Sequence, residues 1–182
     1  MLSLASIDDK FNIHFEILEN GSGTFSGIID EIVQNQAPSF SFVPPRRLLR
    51  VPAELPVMTG MVIRSQAGAI YMVAEHGESE SFQGTVFKSF RLFPTHEKFD
   101  VLRTLKIADV VTNLPKSQEP VVIANIWGAY EPQPEIFDRE TRVSEETARF
   151  ITNFPVEMGD EIAKKKVFRV DKQLGLYIVT LS

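Results

Sequence analysis

The chain has 182 residues and no cysteine, one tryptophan and three histidines. Without thiols it forms no disulfide, no iron–sulfur cluster and no thiolate zinc site, and it has no cysteine nucleophile. No apolar run approaches the ~20 residues of a membrane-spanning helix. Positive charge is in deficit: 19 Lys+Arg face 24 Asp+Glu, a formal net charge of −5. That balance disfavours a protein whose main task is to grip a phosphate backbone. The start, Met1 to Asp9, has no basic segment and meets acid before an apolar run builds. It does not read as a secretory signal, so the expectation is a chain that acts in a cytoplasm or leaves it only within an assembly. The phosphate-loop pattern G-x-x-x-x-G-K-[ST], the nucleophile elbow G-x-S-x-G and the zinc helix H-E-x-x-H are all missing.

What remains is an ordinary globular composition, 43% apolar and 24% charged, at a length that allows one large or two small domains. Phe11, Ile13, Phe15 and Ile17 alternate with Asn12, His14 and Glu16, the period of a strand with one buried face. Asn20-Gly21 and Gly23 follow, and Phe25, Ile28, Ile29 and Ile32 resume, so 11–33 predicts a β-hairpin. Residues 34–45, with Pro38, Pro44 and Pro45, predict a loop. Strands are expected at 47–51, in two pieces over 57–73 around a turn at Ser65–Gly68, and at 86–93, with a polar loop over 75–84. Thr95 to Asn113 fits a Thr-capped helix with Phe99, Leu102 and Leu105 on one face, and fits strands equally. Asn113 to Pro120 reads as a linker, which divides the chain into 1–115 and 116–182. Val121 to Trp127 predicts an apolar strand, Gly128 to Glu146 a long acidic loop, and 150–154, 167–170 and 176–181 the closing strands. The expected fold is all-β and mainly antiparallel, a small barrel or sandwich with long loops and at most one or two short helices.

One pattern occurs twice. Val57, Gly60 and Ile63 have the spacing of Val156, Gly159 and Ile162, and Tyr71-Met72-Val73 then echoes Phe168-Arg169-Val170. Upstream, Arg47-Leu48-Leu49 echoes Arg149-Phe150-Ile151. Two such hairpins can arise by chance in a β-protein. If the echo is a duplication, the chain holds two related β-modules, roughly 11–94 and 119–182.

Candidate chemistry is sparse. His14 falls on the polar side of its strand, His96 stands alone, and His76 lies among Glu75, Glu78 and Glu80 without metal-ligand spacing. Trp127 ends the most apolar strand and suggests core packing ahead of a binding platform. Lys164-Lys165-Lys166 falls at a predicted hairpin tip, and Arg46, Arg47 and Arg50 form a looser basic group. Either is a solvated surface or a contact for DNA phosphates or an acidic neighbour, with Lys164, Lys165, Lys166, Arg46 and Arg47 the candidates. The long loop, with Glu131, Glu135, Asp138, Arg139, Glu140 and Arg142, is either a solvated excursion or an arm that engages a neighbouring subunit. No catalytic, metal or cofactor residue is nominated.

Ile126-Trp127-Gly128, the long loop, Arg149-Phe150-Ile151, Val156-Glu157-Met158-Gly159-Asp160-Glu161-Ile162 and Phe168-Arg169-Val170 resemble the small β-barrel head–tail joining proteins of tailed bacteriophages, the head-closure or stopper proteins of the neck. The resemblance covers about 119–182, and Met61 departs from it where the second copy has Asp160. It implies a structural virion protein without cofactor or catalytic residue, made in the host cytoplasm and resident in the neck. It implies a sixfold or twelvefold ring of copies between the portal or adaptor and the tail terminator or tail tube. Such a ring retains packaged double-stranded DNA, lets it pass without sequence specificity, and docks the tail; no membrane is involved. Other phage parts, a tail terminator or baseplate component, and a small-ligand or metal-binding barrel enzyme around His76, Glu75 and Glu78, are the alternatives.

Overall fold

Alternation of apolar and polar residues produces strands throughout. The computed structural model describes residues 13–31, 47–82, 85–108, 115–117, 119–132 and 148–182, and among them there is no helix. The strands are β1 (Ile13–Glu19), β2 (Thr24–Glu31), β3 (Arg47–Pro52), β4 (Val62–Ser65), β5 (Ile70–Phe82), β6 (Thr85–Thr95), β7 (Glu97–Arg103), β8 (Lys106–Ala108), β9 (Pro115–Ser117), β10 (Val121–Pro132), β11 (Ala148–Thr152), β12 (Glu161–Ile162), β13 (Lys165–Gln173) and β14 (Leu176–Leu181).

Six strands close a first barrel in the order β1-β2-β3-β6-β5-β4, and six close a second in the order β10-β11-β14-β13-β12-β7; β8 and β9 form a two-stranded sheet. Numbered by their own chain order, the strands of the second barrel follow the same circuit as those of the first. Closure gives every strand of the two barrels a neighbour on both sides, so neither barrel has an open edge that could pair with another chain. The expected all-β, antiparallel barrel is what the chain forms.

The first core gathers Phe15, Phe25, Leu49, Val51, Val57, Met61, Ile63, Tyr71, Val73, Phe90 and Leu92. Phe15 stands directly opposite Phe25, with stacked rings 5.2 Å apart. Such a pair adds ~0.5–1.5 kcal/mol beyond its buried area. The turn between β1 and β2 holds Asn20 at φ 61° and Gly23 at φ 104°; of the Asn-Gly pair only Asn20 takes the positive φ expected, and Gly23 rather than Gly21 supplies the second. The second core gathers Val101, Ile126, Ala148, Phe150, Val156, Ile162, Val167, Val179 and Leu181.

Several expectations are corrected. Thr95 caps no helix; it closes β6 opposite Ile70 and is buried. Residues 97–103 are a strand because Phe99 and Val101, two apart, point into the second core, and β7 is paired on both sides, by β10 and β12. The helical face fails, since Leu105 is exposed. With β7 in the second barrel, the chain divides between His96 and Glu97, not near 115, the turn Leu174–Leu176 counting with the first unit. Part of the expected linker, Pro115–Ser117, is β9. The polar stretch after Glu75 continues β5 to Phe82 across an irregularity between Glu75 and Ser79, because β6 supplies a partner strand along its length.

The echo survives with a changed register. Pro56 and Pro155 align the barrels at a constant spacing of 99 residues, so Arg50, Val51, Val57, Gly60 and Ile63 match Arg149, Phe150, Val156, Gly159 and Ile162. The backbone agrees. Gly60 N–H donates to the Val73 carbonyl at 2.8 Å and Gly159 N–H to the Val167 carbonyl at 2.9 Å. Val73 N–H donates back to Met61 and Val167 N–H to Asp160. Val73 therefore corresponds to Val167, not Val170, and Tyr71 corresponds to Lys165, not Phe168. The aromatic match misled because the β12–β13 turn is shorter: Ala163 and Lys164 alone make it, both at positive φ.

Each barrel also carries a strand glycine that makes room for a core side chain. A Cβ on Gly128 would lie 2.0 Å from the Phe150 ring. Gly128→Ala is expected to lower stability by about 1–3 kcal/mol through overpacking. Urea unfolding measures this, and Phe150→Leu in the same chain is expected to recover part of the loss.

Candidate functional site

The clearest convergence of ionisable side chains among the described residues lies at the end of β7. Arg103, its last residue, reaches across to the turn that precedes β12. Its Nε and Nη2 donate to Oδ1 and Oδ2 of Asp160 at 2.7 and 2.8 Å, and its Nη1 donates to Oε1 of Glu157 at 2.9 Å. The Glu157 N–H donates to Asp160 Oδ2 at 2.8 Å. Asp160 is 2% exposed. Burial pushes its pKa up, but the Arg103 hydrogen bonds, the Glu157 N–H and the Arg103 charge outweigh burial and hold it below the usual carboxylate value. Arg103 is raised above its ordinary value, chiefly by the Asp160 hydrogen bond, with burial opposing.

Chemically this is a clamp. Both Asp160 oxygens accept hydrogen bonds, and all three guanidinium nitrogens donate. The first barrel fills the same place by other means. Met61, buried like Asp160, accepts the Met58 N–H on its sulfur at 3.4 Å, as Asp160 accepts that of Glu157. Asn20, which follows β1 as Arg103 ends β7, donates from Nδ2 to the Gly60 carbonyl at 2.7 Å. Both barrels thus tie the end of their first strand to the Gly turn, one through an amide and a buried thioether, the other through an ion pair.

The residues singled out in the sequence are scattered. Arg47 opens β3 and donates to the Tyr71 hydroxyl at 2.8 Å, with its guanidinium 5.8 Å from the Tyr71 ring centre. Lys164 is exposed at the β12–β13 tip; Lys165 and Lys166 open β13 opposite Ile162 and Glu161. Glu131 belongs to β10, not to a loop, and pairs with Arg149 at 3.4 Å. Arg46, Glu135, Asp138, Arg139, Glu140 and Arg142 lie outside the described residues. His14 is exposed on β1, 2.8 Å from Ser26 Oγ; His96 is exposed between β6 and β7; His76 and Glu78 lie in β5, while Glu75 there is exposed. No group of three or more His, Asp or Glu side chains suited to a metal occurs among the described residues. Trp127 is outside the core cluster: it alternates with the buried Ile126, and Lys98 Nζ sits 5.4 Å from its ring centre.

Arg103 was missed because its partners are 54 and 57 residues away in sequence. The available signal was the change from Met61 to Asp160 within the echo, since a charged residue at a core position needs a countercharge. No family model matches the chain, and neither curated proteins nor solved structures gave a match.

Stability follows from the sign of the Asp160 shift. A carboxylate depressed in the folded state stabilises it above the unfolded pKa of ~3.9, and that contribution disappears as pH falls through the lower folded value. Acid titration of unfolding should therefore show a loss that begins near pH 4 and whose Asp160 part is missing from Asp160→Ala. At neutral pH that variant should lose about 3 kcal/mol, the scale of a broken buried pair. Asp160→Met with Arg103→Asn, the residues of the first barrel, should restore most of it.

Proposed function

We propose that the chain is a structural building block of a tailed-phage neck, a head-closure protein that assembles as a ring of copies between portal or adaptor and tail. The observation that carries this reading is the repeated barrel closed through a Pro-Val-x-x-Gly turn. The second copy of that turn, Val156 to Ile162, is the element on which the resemblance to head–tail joining proteins rests. Within each barrel closure pairs every strand on both sides, which suits a structural unit that is not remodelled by a substrate.

The charge distribution fits a passage through which DNA slides. Binding strength follows the number of phosphates neutralised, and a chain at −5 neutralises few. Lys164 to Lys166 are the basic residues placed for a transient phosphate or neighbour contact; Arg47 is held by Tyr71. The clamp of Arg103, Glu157 and Asp160 serves the fold, and no catalytic role is assigned to it.

A reconstruction of assembled particles tests the proposal. Density for tandem six-stranded barrels in a ring directly below the portal assembly is the expected outcome. The same barrels at the tail tip, or at the head-distal end of the tube, would make the chain a baseplate or terminator component instead. Purified particles that lack the chain would overturn a virion role.

A further inference from the structure

Of all the asparagines in the chain only Asn20 precedes a glycine. A glycine in that place lets its backbone nitrogen approach the asparagine side chain, and asparagine is a thermolabile residue. The structure shows what holds the pair where it is. Asn20 takes φ 61°, a backbone conformation that asparagine tolerates better than most side chains. Gly21 passes so close to the first core that a Cβ would lie 2.9 Å from Met61 Cε and 3.3 Å from Ile17 Cγ2. Both residues are exposed in the turn from β1 to β2, and among the described residues no acceptor takes the Gly21 N–H. The Asn20 amide, in contrast, is engaged: its Nδ2 donates to the Gly60 carbonyl at 2.7 Å. Gly60 is buried and forms the turn that closes the first barrel.

We infer that Asn20 is a site of self-modification, gated by the closure of the first barrel, and that its conversion weakens that closure. The Gly21 nitrogen attacks Asn20 Cγ. A C–N bond forms, the bond from Cγ to Nδ2 breaks, and Nδ2 leaves as ammonia with the proton given up by Gly21. The five-membered imide takes up one water and one of its two carbonyl C–N bonds opens. Opening at Cγ gives aspartate, and opening at the main-chain carbonyl gives isoaspartate. Nothing is oxidised or reduced, and water is the only reagent. The gate is the hydrogen bond to Gly60. The departing nitrogen is the one that Gly60 holds, and attack makes Cγ tetrahedral, which carries Nδ2 out of that bond. Molecules whose closing turn has opened locally therefore react first. The product then lacks the donor, so two acceptors face each other where one hydrogen bond stood. Isoaspartate also adds a methylene to the backbone beside Gly21, in the stretch packed against Met61 and Ile17. The second barrel has Arg103 in the corresponding place, tied to Asp160 and Glu157, and a guanidinium undergoes no such ring closure. The liability belongs to one barrel only.

The test incubates the intact chain in warm, mildly alkaline buffer and follows each asparagine by peptide mass spectrometry. Asn20 should convert to a mixture of aspartate and isoaspartate ahead of Asn125 and Asn153, which precede the bulky Ile126 and Phe154. Urea just below the unfolding transition should speed conversion at Asn20 at least about tenfold, and so should Met61→Ala, which removes packing from the closing turn. The urea measurement uses the natural chain, so the gate stays testable if circular dichroism shows Met61→Ala unfolded. Asn20→Gln, whose longer side chain cannot close the five-membered ring, should show no conversion at that position. Asn20→Asp, one of the two products, should unfold at a lower urea concentration than the natural chain. Conversion at Asn20 no faster than at Asn125 overturns the site. Equal rates at Asn20 with and without urea overturn the gate. An Asn20→Asp chain as stable as the natural one overturns the consequence for closure.

Discussion

Each barrel depends on one closure: the segment after its third strand must turn back and become the partner of its first. A glycine at positive φ makes the turn, Gly60 at 87° and Gly159 at 92°. Its N–H and the carbonyl one residue on are then taken by a single valine of the next strand, Val73 or Val167. Everything else follows from that hook. The short fourth strand, β4 or β12, lies against β1 or β7 only because the turn delivers it there, and without it the sheet would be open, with two exposed edges.

The two barrels secure the hook differently, and the difference has consequences. A buried methionine accommodates the first turn with dispersion contacts and a weak sulfur acceptor. A buried aspartate in the second requires Arg103, and the pair is worth less than its geometry suggests because Asp160 leaves water altogether and Arg103 in part. What it adds is direction: a bidentate fork fixes the end of β7, the point from which the chain leaves for β8 and β9. The barrel with the ion pair is also the one whose first two strands are joined by the longer connection, 104–120 against 20–23.

Strand periodicity in β1 and β2, the Asn-Gly turn and the paired Val-x-x-Gly spacings were legible because each is local: burial of alternate side chains and positive φ at a turn act within a few residues. Residues 97–103 were not legible. Phe99, Leu102 and Leu105 suit a helix as well as Phe99 and Val101 suit a strand, and the decision lay with β10 and β12, which flank that segment. The register of the echo failed for a related reason. An aromatic in each hairpin looked equivalent, yet Tyr71 is buried and Phe168 is exposed. The length of the turn, not residue type, sets which side chain faces inward.

By itself the sequence determined an all-β chain, the positions of its sharp turns, and the repetition of one hairpin, since these follow from side-chain pattern and backbone sterics. Tertiary structure alone decided that the strands close into two barrels with one circuit, that β7 joins the second, and that Asp160 meets Arg103. Those outcomes depend on residues brought together from distant parts of the chain. No local preference encodes which distant strand completes a ladder; the shared burial of both partners does.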